Sequence, residues 1–244
     1  MAVLVTRPLP DGETTASALR AKGFVVLLAP MLRFEPVTFH DDSDAPYGAV
    51  IVTSANALRA IETRIRGSLL LRLPLFAVGE HTAEAARAVG FTQVISANSD
   101  AAGLRERIVA SVRAKVLKKT SPLLYLAGAD LARDLPGELG ERGFTVVTQT
   151  TYRMVAVANL PEETRKAFAA DEVEAVLHYS RRSARAFIEA VRAAGVEISA
   201  LSLPQCCLSA GVATVLRDAG AARVVVASSP DEGALFVALE SATC

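Results

Sequence analysis

Apolar residues fall into two patterns along this chain. In one they stand in short unbroken runs; in the other they recur every three or four positions. The first pattern marks strands buried on both faces, the second amphipathic helices. Residues 3–5, Val-Leu-Val, are the first run. Asp11 stands where it can cap a helix over 12–22, and Gly23 where it can end that helix in a left-handed turn. Residues 24–28 form the next strand, completing a β-α-β unit with a right-handed crossover. Further on, 49–53 reads as a strand and Ser54 as the cap of a helix over 55–66, with Leu58, Ile61 and Ile65 at helical spacing. A strand at 75–78 leads to Gly79, which opens a helix over 81–88 that Gly90 stops. A strand at 94–96 and a helix at 101–114 follow. Residues 123–126, a helix over 129–142 with Pro136 and Gly137 inside it, and 144–148 make another β-α-β unit.

The second half repeats the first. Gly23-Phe24 falls on Gly143-Phe144 at a shift of 120 residues. Ala49-Val-Ile-Val-Thr-Ser54 falls on Ala175-Val-Leu-His-Tyr-Ser180 at a shift of 126, and Leu73-Pro74 on Leu203-Pro204 at 130. The offset grows by small steps, as loop insertions would make it. Two copies make a duplicated doubly wound α/β unit rather than a solenoid. Between the strands lie two matching polar-apolar segments, Pro-Met-Leu-Arg-Phe-Glu-Pro-Val at 30–37 and Thr-Thr-Tyr-Arg-Met-Val-Ala-Val at 150–157, with Arg33 on Arg153 and Val37 on Val157. They are expected to connect two similar lobes, with a cleft between. Each copy could fold contiguously. Alternatively, the opening β-α-β of each half could join the later part of the other, which would lay the connectors side by side as a two-stranded hinge.

The chain has 244 residues, half of them apolar, enough for one large domain or two ordinary ones. Lys+Arg and Asp+Glu are equal at 26, so no net field draws nucleic acid or an anionic membrane. The longest apolar run, 24–32, is far short of the roughly 20 residues that a membrane span needs. The N-terminus carries its charge after a very short apolar run, where a signal peptide would carry it before a longer one. Cys206, Cys207 and Cys244 form no metal spacing and suit a buried role in a reducing compartment. A soluble cytoplasmic monomer is the expectation, with no nucleic-acid or membrane partner.

In doubly wound sheets, ligands sit beyond the carboxyl ends of the strands, where helix N-termini offer free N–H groups. Those ends read Thr6-Arg7-Pro8, Thr53-Ser54-Ala55-Asn56, Val78-Gly79-Glu80-His81-Thr82, Ala127-Gly128-Ala129, Tyr179-Ser180-Arg181-Arg182 and Ser209-Ala210-Gly211. Such edges suit a ligand rich in carboxylates or phosphates. Arg7, Thr53, Ser54, Gly79, Thr82, Gly128, Ser180 and Ser209 are the candidate binding residues. Each Ser or Thr is equally placed to cap a helix. No Gly-x-Gly-x-x-Gly follows the first strand, and no P-loop or Gly-x-Ser-x-Gly elbow occurs, which argues against dinucleotide, nucleotide and serine-hydrolase sites. His40, His81 and His178 are scattered without ligand spacing, so neither metal nor cofactor is expected; His178, inside a strand, reads as structural.

In their order and spacing, Val-Leu-Val-Thr-Arg-Pro at 3–8, Val52-Thr-Ser54-Ala-Asn56-Ala, Val78-Gly-Glu-His-Thr82-Ala, Leu124-Tyr-Leu-Ala-Gly128 with Arg133, Tyr152, and Tyr179-Ser180 with Phe187 resemble uroporphyrinogen-III synthases from end to end. The resemblance implies two α/β lobes of parallel sheet joined by a two-stranded linker: 1–32 with 158–244, 38–149, and connectors at 33–37 and 150–157. It implies closure of hydroxymethylbilane to uroporphyrinogen III with loss of water and inversion of ring D through a spiro intermediate, without cofactor or metal. Tyr152 matches the family's connector tyrosine, the candidate acid for loss of hydroxide; a phenol holds a proton it can donate at neutral pH. One turn departs from the pattern: Leu208-Ser209-Ala210-Gly211-Val212 replaces Gly by Ser209 and loses a ligand-side Thr, unless the register shifts so that Gly211 serves. Two other functions fit the sequence, a non-catalytic binding or regulatory protein of the same fold and an unrelated two-lobed small-molecule binder.

Overall fold

The computed structural model describes every residue except Asp42, Ser43, Asp44, Ala132 and Cys244. The third cysteine therefore lies outside the described residues. The chain opens with β1 (Ala2–Val5), α1 (Asp11–Ala21), β2 (Val25–Leu28) and β3 (Leu32–Pro36). It continues through β4 (Ala49–Val52), α2 (Ala55–Ile61), a 3-10 turn at Leu69–Arg72, β5 (Pro74–Ala77), α3 (Glu80–Val89), β6 (Gln93–Ser96) and α4 (Ala101–Arg113). Next come β7 (Leu123–Gly128), α5 (Leu135–Gly140) and β8 (Val146–Ala156). It closes with α6 (Glu162–Ala169), β9 (Val173–His178), α7 (Arg181–Ala193), α8 (Glu197–Ser202), β10 (Pro204–Cys207), α9 (Ala210–Asp218), β11 (Arg223–Val226) and α10 (Glu232–Thr243).

Two compact units result, Met1–Phe34 with Val155–Cys244 and Glu35–Met154. The first holds a parallel sheet in the order β11-β10-β9-β1-β2. The second holds the order β6-β5-β4-β7-β8, again parallel, with β3 beyond β8. The two orders coincide once the repeat is mapped, with β9–β11 standing where β4–β6 do and β1–β2 where β7–β8 do. Each sheet thus joins the opening β-α-β of one half to the later strands of the other, the crossed arrangement. Gly23 and Gly143, equivalent in the repeat, both take left-handed backbone, at φ +91° and +79°.

The interior strands β1 and β4 are apolar at every position, as strands are when helices cover both faces of a parallel sheet. Ala-Val-Leu-Val of β1 and Ala-Val-Ile-Val of β4 are buried throughout. Pro74 and Pro204 each open a strand, the position where a missing N–H is tolerated. In the first unit, Leu19 of α1 and Leu235 and Leu239 of α10 pack against Val3, Val5, Leu177 and Cys206. In the second, Leu104 and Ile108 of α4 and Leu135 and Leu139 of α5 pack against Ile51, Phe76, Leu123 and Tyr125. The connecting strands pair antiparallel: Val37 N–H donates to Thr151 C=O at 2.7 Å, and Val157 N–H to Met31 C=O at 2.9 Å. Arg153, on the second connector, is bound at 2.8 Å by Glu35. No helix among the described residues is long and apolar enough to cross a membrane.

Several local expectations are corrected. Asp11 is not a cap: Pro10 holds that position, and Asp11 is the first helical residue, its carboxylate 3.5 Å from Arg7 Nη2. The helix expected over 55–66 ends at Ile61, where the Arg64 and Ile65 N–H groups both return to the Ile61 carbonyl. The helix expected over 129–142 is only α5. Asp134 caps it, accepting from Gly137 N–H at 3.0 Å, and Pro136 sits in its first turn, where the missing N–H has no intrahelical partner to lose. The segments 144–148 and 150–157 merge into β8, since no Gly or Pro interrupts Val-Val-Thr-Gln-Thr-Thr-Tyr-Arg-Met-Val-Ala. α6 and α8 answer to no element expected from the sequence.

Candidate active site

In the second unit the carboxyl edge of the sheet gathers Thr53, Ser54, Gly79, Thr82, Gly128 and Tyr152. β4 hands over to Thr53 and Ser54, and Ser54 Oγ caps α2 by accepting the Asn56 N–H at 3.2 Å. Thr53 Oγ1 lies 2.8 Å from the hydroxyl of Tyr125, a residue the sequence did not single out. Gly79 is the N-cap of α3, with extended backbone, and Thr82 lies buried in the first turn of that helix. Gly128, the last residue of β7, pairs with Tyr152 of β8 at a break in register. A Cβ on residue 128 would stand 2.7 Å from Tyr152 Cζ and 2.9 Å from its hydroxyl oxygen. Glycine here is what lets the half-buried phenol lie against the end of β7. Arg133 pairs with Glu138, which also takes Arg105 at 2.7 Å, and the Arg133 guanidinium holds the Glu138 carboxyl below its usual range. His81 is exposed in the first turn of α3. The edge therefore offers hydroxyls and free helix N–H groups, and among the described residues no group of His, Cys, Asp and Glu side chains is arranged to hold a metal.

In the first unit the corresponding edge gathers Arg7, Ser180 and Ser209. Arg7 Nη1 donates to Glu232 Oε1 at 3.0 Å and to Thr15 Oγ1 at 3.2 Å, and the guanidinium lies 4.7 Å over the Tyr179 ring. Tyr179 donates to the same Glu232 oxygen at 2.9 Å, and its burial pushes the phenol's pKa well up. With Asp11 nearby as well, the charge of Arg7 is met inside the unit rather than held open for an incoming carboxylate. Ser180 Oγ caps α7, accepting the Ser183 N–H at 3.1 Å. Ser209 is the N-cap of α9 by backbone position, and its side chain makes no cap bond. α9 starts one residue after Ser209 as α3 starts one residue after Gly79, so the register does not shift to Gly211. Val212 stands where Thr82 does, buried, and the turn carries its hydroxyl at Ser209 instead.

Three buried groups lie outside this chemistry. Cys206 and Cys207 are fully buried, and burial pushes both thiols up to about 12, which makes them poor nucleophiles. His178 is also fully buried and edge-on to Phe187 at 5.1 Å between ring centres, in the structural role the sequence suggested. Tyr125 and Glu232 were the residues missed. The only local sign of Tyr125 was a phenol inside an otherwise apolar strand, whose hydroxyl must find a partner once buried.

Over residues 13–237 the sequence matches the family model described as uroporphyrinogen-III synthase HemD. No curated protein matches it. Its fold is similar to the crystal structure of uroporphyrinogen-III synthetase from Helicobacter pylori, with a TM-score of 0.67 and 17% identity over 98% of each chain. It is also similar to a mutant uroporphyrinogen III synthase from the extremely thermophilic bacterium Thermus thermophilus, with a TM-score of 0.59 and 16% identity over 99% of this chain and 98% of that one. At such identities the likeness to these two structures is one of fold.

Proposed function

The chain belongs to the uroporphyrinogen-III synthase family, and we propose that it carries out the family's reaction as a cofactor-independent lyase, a monomer acting in the cytoplasm. That reaction closes hydroxymethylbilane to uroporphyrinogen III, with loss of water and inversion of ring D, a step of porphyrin biosynthesis. The family match over residues 13–237 carries this reading. Residues 33–37 and 150–157 are assigned as the linker of two lobes, 1–32 with 158–244 and 38–149.

The physics of the reaction agrees with the residues present. The unaided bilane also closes, but to the uninverted isomer. An enzyme must therefore hold the chain so that the substituted carbon of ring D attacks, which is a matter of positioning and of excluding the competing geometry. Donors spread along a sheet edge suit that task, because the substrate carries acetate and propionate groups on every ring. Thr53, Ser54, Gly79, Thr82 and Gly128 supply such donors, or room for them, in one unit; Ser180 and Ser209 do so in the other. Arg7 joins them only by exchanging Glu232 for a substrate carboxylate, so its first task is to hold α10 to β1 through Glu232.

Tyr152 is assigned as the acid. Its O–H passes a proton to the departing hydroxide as the carbon–oxygen bond breaks, so that water leaves. The closing pyrrole later gives up its α-hydrogen as a proton, which returns the phenol to its starting state. General acid catalysis contributes about 10²- to 10⁴-fold. Tyr152→Phe is accordingly expected to slow enzyme-dependent consumption of hydroxymethylbilane by about 100-fold or more, after correction for spontaneous closure. An undiminished rate would remove Tyr152 from the chemistry.

A further inference from the structure

Tyr125 and Thr53 share one hydrogen bond, 2.8 Å between oxygens, and either atom could donate. Burial decides between the two arrangements. Tyr125 is 3% exposed, deep in β7 beneath α4 and α5, whereas Thr53 is partly exposed at the carboxyl edge of β4. Among the described residues, neither hydroxyl has another partner. If Thr53 donated, the phenolic proton would be buried without an acceptor, a costly state. If Tyr125 donates, its proton is satisfied, and the proton of Thr53 is left on the accessible side of the pair. Donation from the phenol also polarises the second O–H and makes it a better donor. Burial raises the pKa of Tyr125, which keeps it in the donating form.

We propose that Tyr125 is a positioning residue that fixes the Thr53 hydroxyl as an outward donor for a carboxylate of the substrate. The ligand chemistry is that of an acetate or propionate side chain, a charged acceptor that such a donor meets well. This deepens the cyclase reading and rests on it. Tyr125 belongs to β7, and the Tyr152 ring lies against Gly128 at the end of the same strand. The assigned acid and the fixed donor thus share one framework.

The test is a double-mutant cycle in the full-length enzyme with hydroxymethylbilane generated in situ. Thr53→Val and Tyr125→Phe should each raise KM roughly tenfold while kcat changes little. The double variant should be no worse than Thr53→Val alone, and Thr53→Ser should retain most of the wild-type KM. Melting temperatures distinguish this from loss of folding, which would lower kcat and the melting point together. An unchanged KM in Tyr125→Phe would overturn the inference, as would effects of the two variants that multiply. Wild-type enzyme that yields no type III isomer would defeat the cyclase reading, and this inference with it, before any variant is compared.

Discussion

His178 has a place for one proton and none for a second. The Gln205 amide nitrogen donates to the Ala200 and Leu203 carbonyls at 2.8 and 3.0 Å, so its oxygen faces His178 Nε2, which must carry the hydrogen. Among the described residues, Nδ1 is left buried without a partner. Burial lowers the imidazole pKa to about 4, against the smaller opposing effect of the Gln205 bond. The folded value lies below the unfolded one, so the unfolded chain takes up the proton first. The stability tied to neutral His178 is therefore full above the unfolded value of 6.5 and is lost as pH falls from there through about 4. It amounts to roughly 3 kcal/mol. Denaturant melts of His178→Phe should show a flatter dependence of stability on pH across that window; an unchanged slope would mean that another group sets it. At Gly128 the constraint is steric. Gly128→Ala should displace the Tyr152 ring, costing about 1–3 kcal/mol of stability by overpacking and, in a rate assay, a loss approaching that of Tyr152→Phe. Full activity would show that the ring can move aside without consequence. Gly128 and Thr53 were legible in the sequence because they stand at strand ends, and Tyr152 through the family resemblance. Tyr125 and Glu232 were not, because their partners lie 72 and 225 residues away and no local pattern reports such a meeting.

Helix starts repeat between the two units. Ser54 and Ser180, equivalent in the duplication, both cap helices through their hydroxyls. Ser180→Ala should therefore cost about 1 kcal/mol in chemical denaturation and Ser180→Gly only a few tenths. Unchanged stability in Ser180→Ala would leave the hydroxyl to ligand alone. Strands β1 and β4 could be read directly as unbroken apolar runs, and the stops at Gly23 and Gly90 from the need for left-handed backbone, at φ +91° and +113°. Periodicity was a weaker guide to backbone state. Ile61 and Ile65 are both fully buried, as their spacing suggested, yet the helix between them ends at Ile61. Spacing reports which face is buried, and a turn can bury the same face. Pro136 was the better signal for α5, since a proline is at home in a first turn and disruptive inside a helix.

At the scale of the whole chain, duplication supplies two sheets of one strand order, each assembled from both halves of the sequence. Duplication also doubles the edges at which backbone N–H groups and hydroxyls can meet carboxylates. The copies have since diverged where binding is proposed: Gly79 and Thr82 in one unit correspond to Ser209 and Val212 in the other. The crossed order was one of two assemblies open to the sequence, since strand pairing between distant segments leaves no trace in either segment's own pattern. The activity rests above all on control over which carbon of ring D closes the macrocycle. The direct measurement supplies hydroxymethylbilane, generated in situ, to the purified full-length chain and resolves the type I and type III uroporphyrins after oxidation. Predominantly type III product, formed faster than spontaneous closure, is the expected result; type I alone, at the uncatalysed rate, would contradict it.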